Sequence, residues 1–197
     1  MATRQFPFLT LGLLMLTVGL HYLVPEKALL YFSAANIADG ETWRIITGHF
    51  IHADTQHLFW NCLGLAVLGT LIEQHSRMAL LAALGTGIAA VSFLLLTPFA
   101  QLEYYCGLSG VLNTLLLLAL WREWTFTRSW PVIAIAGLCI AKVVIEVSGG
   151  TSIVTHISWP PYAWSHVAGL VGGLLMILSD QVLVEFNQNS IKQCPEV

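Results

Sequence analysis

Six apolar runs, at about 6–24, 56–73, 78–97, 107–121, 131–147 and 164–184, alternate along the chain with shorter polar segments. A helix needs about 20 apolar residues to cross the hydrocarbon layer of a bilayer, so each run predicts a membrane span. The first, Phe6 to Val24, ends at Pro25 and is preceded by one positive charge, Arg4. No small-x-small cleavage site follows it, so it reads as a span rather than a secretory signal. Residues 25–53 mix polar groups with the apolar anchors Trp43, Phe50 and Ile51, and Asp39-Gly40 marks a turn. They read as a structured outer loop, too polar to span and too apolar to be a free linker. Arg77, Pro98 to Cys106, Arg122 to Trp130 and Ser148 to Ala163 separate the later runs. The expectation is an all-α polytopic membrane protein, with residues 1–197 as one six-span domain and no separate soluble domain.

Composition sharpens the class. The chain has 197 residues, 56% hydrophobic and 10% charged, against about 25% charged in soluble domains. That excludes a soluble globular fold, and so apolar a chain does not stay solvated as a coil. A net charge of −3 with eight Lys and Arg leaves no basic face for nucleic acid. Six spans put both ends on one side, which would carry Arg4, Arg77, Arg122, Arg128 and Lys192 against Lys27 and Arg44 on the other. The positive-inside rule then predicts both termini in the cytoplasm. Trp121, Trp124, Trp130, Trp159 and Trp164 gather at span ends as an aromatic belt. Cys62, Cys106, Cys139 and Cys194 are spaced for neither zinc nor a secreted disulfide framework.

Polar residues inside spans are costly and need a partner or a task. On the second span His57 and Asn61 lie four apart, on one helical face. At the head of the fourth, Cys106-Gly107-Leu108-Ser109-Gly110 sets a hydroxyl between glycines, with Asn113 one turn below. At the head of the sixth, Ser165-His166 precedes Gly169 and Gly173, a stripe of small residues that admits a close neighbour. In alternating spans these three starts share the outer face. A serine hydroxyl needs an adjacent base, and a neutral imidazole suits that work near neutral pH. His166 is the candidate base for Ser109, and the Asn61 amide, the His57 imidazole and the Ser109 backbone N–H are candidate oxyanion donors. Asp180 and Glu185 fall at the far end of the sixth span and Asp54 in a loop, so the arrangement predicts a Ser-His dyad without a carboxylate. Taken singly, each residue also has a plainer reading: packing for Ser109, an interhelical hydrogen bond for His57 and Asn61, a haem or metal ligand for His166.

In this order and spacing the residues resemble the rhomboid family of intramembrane serine proteases. The likeness runs through Glu41-x-Trp43-Arg44-x-x-Thr47-x-x-Phe50-x-His52, His57-Leu58-x-x-Asn61, Gly69-x-x-x-Glu73, Gly107-x-Ser109-Gly110 and His166-x-x-Gly169-x-x-x-Gly173. It implies a six-helix core, Ser109 as nucleophile, His166 as base, and an oxyanion hole of His57, Asn61 and the Ser109 amide. Gly107, Gly110, Gly169 and Gly173 would be close-packing glycines. Trp43 and Arg44 would organise the outer loop, Glu73 would tie the inner end of the second span, and His49 and His52 would line the loop rather than bind metal. No metal and no cofactor is implied.

A short chain with Cys106 directly before Gly-Leu-Ser-Gly looks like the rhombosortase subgroup. That likeness implies a Gram-negative inner membrane, an active site facing the periplasm, and transmembrane substrates with a carboxy-terminal Gly-Gly motif, a hydrophobic helix and a basic cluster. Where many rhomboids carry an aromatic residue, this chain has Asn113, which we expect to orient the base through a hydrogen bond. A Cys62–Cys106 disulfide at the periplasmic mouth is conceivable. Lys142 and Glu146, spaced i, i+4, read either as a pair on one helix face or as a substrate contact. A catalytically silent helix-binding relative and a small six-span transporter or haem protein are the competing functions.

Overall fold

The computed structural model describes residues 6–149 and 162–192, with side chains through residue 179. Arg4, Trp159 and Cys194 lie outside the described residues, as do the side chains of Asp180, Glu185 and Lys192. The described residues form eight α-helices and no strand: α1 (Phe8–Leu23), α2 (Ala34–Ala38), α3 (Arg44–Phe50), α4 (Thr55–Glu73), α5 (Arg77–Leu95), α6 (Ser109–Thr127), α7 (Trp130–Gly149) and α8 (Ala163–Lys192). Each predicted span has its helix, with shifted ends. α6 starts at Ser109 rather than 107 because Gly107, at φ +115°, turns the chain before the first helical residue. α6 runs on to Thr127 and α8 to Lys192, beyond the apolar runs, because polar helical turns continue past them.

Helix starts follow local chemistry. Asp54 accepts from the His57 N–H at 2.8 Å to open α4, and Ser76 accepts from the Ala79 N–H at 3.2 Å to open α5. The outer loop is itself built: α2, α3 and a 3-10 turn at Lys27–Leu29 lie within it. Arg44 fastens it, donating to Ala28 O at 2.7 Å and Tyr31 O at 2.9 Å and pairing with Glu41, while Trp43 Nε1 donates to Leu29 O at 3.3 Å. Phe32 crosses α3 at Gly48, where a Cβ would meet Phe32 N at 2.7 Å. Phe32 and Tyr105 then exchange backbone hydrogen bonds of 2.9 and 3.0 Å, which lash the loop to the segment leading into α6.

α6 is the central helix, packed by α4, α5, α7 and α8. Its Val111, Leu115 and Leu118 meet Leu65 and Ile72 of α4 and Leu80 and Ala83 of α5 in a fully enclosed apolar core. α7 buries only Val132, Val143 and Glu146 of its 20 residues. Phe93, Leu138 and Met15 are 74%, 71% and 71% exposed, as side chains that face lipid rather than water are. α5 and α7 are long and apolar enough to cross a membrane, and α1 and Ala163–Ser179 are shorter apolar helices. At the opposite end from the outer loop, Glu73 accepts from Leu9 N–H (2.9 Å), Thr10 N–H (2.7 Å) and Thr10 Oγ1 (2.8 Å), filling the open amides that begin α1. Gly69 makes room for Thr10, whose Cγ2 would lie 2.9 Å from an added Cβ.

Candidate functional site

Ser109 is the first residue of α6 and His166 the fourth of α8. Their side chains meet, His166 Nε2 to Ser109 Oγ, at 3.0 Å. Main-chain contact between the two helices brings them that close. A Cβ on Gly169 would fall 1.8 Å from Gly110 O, and one on Gly110 would fall 2.9 Å from Ser165 O. One turn further, Thr114 Oγ1 donates to Gly169 O at 2.7 Å, and a Cβ on Gly173 would meet Leu117 Cβ at 2.9 Å. Larger residues at Gly110, Gly169 or Gly173 would part the helices and the side chains with them.

The second ring nitrogen is also engaged, which departs from the sequence-based expectation. His166 Nδ1 lies 2.9 Å from Glu146 Oε2 of α7. A carboxylate accepts, so Nδ1 carries the hydrogen, and the Nε2 lone pair faces the Ser109 hydroxyl. Lys142 Nζ, one turn back on α7, stands 2.8 Å from the carboxylate. The side-chain order is therefore Lys142, Glu146, His166, Ser109, and the pair is not without a carboxylate. Sequence reasoning missed Glu146 because its spacing to Lys142 already supplied a partner. The available signal was a carboxylate deep in an otherwise apolar span.

Asn113 does not orient the base. Its Nδ2 donates to Ser109 O at 2.8 Å, and both nitrogens of His166 have other partners. An amide four residues below a carbonyl in its own helix finds that acceptor first. Cys62 and Cys106 are free thiols, not a bridge. Cys62 follows Asn61 by about 100° around α4, so it leaves the helical face that carries His57 and Asn61.

On α4, His57 packs against Gly107 just before Ser109, and Asn61 lies one turn further along the helix. Asn61 is buried at 4% exposure, and its Nδ2 has no hydrogen-bond partner among the described residues. His57 Nδ1 likewise has none among the described residues, and the ring lies against Gly107, where a Cβ would fall 2.4 Å from His57 Cε1. Gly107 is thus required twice, for its positive φ and for this approach. The Ser109 N–H sits in the first turn of α6, where helical amides have no intrahelical acceptor. Tyr105 Oη donates to Gly107 O at 3.0 Å, and Gly107 N–H to Gly48 O at 2.9 Å, which fix the segment before Ser109. Beneath the outer loop, His49 Nε2 pairs with Ser92 Oγ at 2.9 Å, and His52 stacks edge-on to His57 with centroids 4.9 Å apart. Burial pushes His49 down to about 4 and His52 down to about 3, so both are neutral at pH 7.

Residues 39–180 match the family model described as the Rhomboid domain. Over 140 residues, 70% of the chain, the sequence is 30% identical to the "Rhomboid protease GluP" of Bacillus subtilis (strain 168). The match occupies 26% of that protein, so the chain spans about a quarter of the relative's length.

Proposed function

Because the chain belongs to the rhomboid family, we propose that it is a multi-pass intramembrane serine endopeptidase in which Ser109 is the nucleophile and His166 the general base. The observation that carries this reading is the 3.0 Å approach of His166 Nε2 to Ser109 Oγ. As Oγ bonds to the scissile carbonyl carbon, its proton passes to Nε2 and the carbonyl oxygen becomes an oxyanion. Asn61, His57 and the Ser109 N–H are the donors for that oxygen. The C–N bond then breaks as Nε2 returns the proton to the departing amine. Water, deprotonated by the same nitrogen, hydrolyses the acyl-enzyme and frees Ser109.

The finer reading is a six-span core, both termini cytoplasmic, in a Gram-negative inner membrane, with the site open to the periplasm. Its substrates are membrane-anchored proteins with a carboxy-terminal Gly-rich motif, a transmembrane helix and a basic cluster, from which the tail is removed. The charge asymmetry of the loops and the Cys106-Gly107-Leu108-Ser109-Gly110 segment support it.

Labelling by a fluorophosphonate tests the core of the proposal. Wild-type protein in detergent should label, while Ser109→Ala and His166→Ala should not. Labelling that survives Ser109→Ala would end the serine-protease reading. For the substrate, a reporter carrying Gly-Gly, a helix and a basic tail should lose its tail only with active protein, and replacement of Gly-Gly should protect it.

A further inference from the structure

Resting on that reading, we infer that Glu146 is a positioning residue for His166, holding the ring in the tautomer that can take the Ser109 proton, and that Lys142 holds the Glu146 carboxylate for this task. Glu146 is 2% exposed, and it sits on a helix that otherwise buries only Val132 and Val143. A surface ion pair would point its carboxylate outward along its own helix. This one reaches across to α8, with Oε2 2.9 Å from His166 Nδ1, and has Lys142 Nζ at 2.8 Å behind it. A carboxylate placed so deep is costly unless paired, and here the partner is the ring whose other nitrogen meets Ser109.

The chemistry follows from the proton count. With Nδ1–H donated to Glu146, Nε2 has a free lone pair and receives the Ser109 proton as the Oγ–C bond forms. The ring is then a cation between Ser109 and an ionised carboxylate. Glu146 keeps its charge throughout and takes no proton; it stabilises the imidazolium until Nε2 delivers its proton to the leaving amine. Among the described residues, the charged and titratable groups facing His166 are Glu146 and Lys142 of α7 and His57 of α4. α5 carries its only charge, Arg77, at its far end, and α6 carries Arg122 and Glu123 more than three turns below Ser109.

The test measures turnover of a quenched-fluorescent transmembrane peptide in vesicles, across pH 5 to 9, for wild type, Glu146→Gln, Glu146→Asp and Lys142→Met. Glu146→Gln should lower kcat by about 10²- to 10⁴-fold with little change in KM, as loss of a tautomer-fixing carboxylate does elsewhere. It should also move the acid limb of the profile to lower pH, since an imidazolium without its carboxylate gives up its proton more easily. Glu146→Asp should recover part of the rate. Lys142→Met should move the acid limb the opposite way, by less, because the cation that opposes a second positive charge has gone. A merely structural carboxylate would not produce limb shifts of opposite sign. Wild-type kcat and an unmoved limb in Glu146→Gln would overturn the inference. If that variant fails to fold, Lys142→Met decides, and an unmoved limb there overturns it equally. Fluorophosphonate labelling separates the two levels. Loss in Ser109→Ala together with a wild-type Glu146→Gln sinks this inference alone, whereas labelling retained in Ser109→Ala sinks the protease reading beneath it.

Discussion

Two buried carboxylates in this molecule are almost equally enclosed, Glu73 at 0% and Glu146 at 2% exposure, and each has a half-exposed cation four residues away in sequence, Arg77 at the start of the next helix and Lys142 on the same one. Arg77 follows Glu73 at 3.5 Å, and Lys142 precedes Glu146 at 2.8 Å. The difference lies in what fills their remaining acceptor sites. Glu73 takes two backbone amides and a hydroxyl from the start of α1, none of which titrates or changes tautomer. Glu146 takes the N–H of an imidazole whose opposite nitrogen meets a hydroxyl. A carboxylate that caps main-chain donors fixes a position; one that faces an ionisable ring also fixes where a proton resides. Burial and charge pairing alone do not tell them apart.

The sharpest way to break the comparison is to neutralise both and look for crossed phenotypes. Glu146→Gln should cost about 10²- to 10⁴-fold in kcat with little change in thermal stability. Glu73→Ala should do the reverse, losing about 2–4 kcal/mol because two amides and a hydroxyl are left unpaired, while turnover per folded molecule holds. Matching effects on kcat would erase the distinction. Gly169→Ala should cost up to about 3 kcal/mol through overpacking against Gly110 O and lower activity with it, which calorimetry and the peptide assay check together.

The outer region should also be the acid-sensitive one. His49 and His52 titrate near 6.5 when unfolded and are pushed down to about 4 and about 3 when folded. The unfolded chain therefore binds protons first as pH falls. Stability is full above about pH 6.5 and declines toward pH 4, a slope that midpoints of thermal unfolding would show and a flat profile would refute. Two small effects complete the series. Arg77→Ala, at a cation 45% exposed, should cost about 0.2–1 kcal/mol. Asn113→Ala should change kcat/KM less than about twofold, since its amide bonds Ser109 O and not the base.

Much of this arrangement was legible in the chain. His57 with Asn61, Ser109 between its glycines, and His166 ahead of Gly169 were spaced so that helical geometry alone suggested one depth, and in the structure His166 meets Ser109 and His57 meets Gly107. Glu146 was not legible in the same way. It stands 20 residues before His166 on another helix, and its i, i+4 lysine made it look satisfied. Asn113 failed for the converse reason, because a shared helical face did not reveal that the amide would bond its own backbone. The helices within 25–53 are short and held by Arg44 and by Phe32 with Tyr105, contacts that no local periodicity encodes.

The Gly110–Gly169 crossing has one more consequence. Where main chain touches main chain, no rotamer lies between the two helices to adjust their separation. The distance from Ser109 to His166 is thus gauged by backbone geometry, while neighbours such as Val111 and Ala168 pack around it. Repacking those neighbours, or changing the lipid in contact with the outer faces, would alter how firmly the helices hold together and leave the spacing at the crossing unchanged. The molecule can therefore drift widely in its apolar sequence and its bilayer without recalibrating the contact on which its chemistry rests.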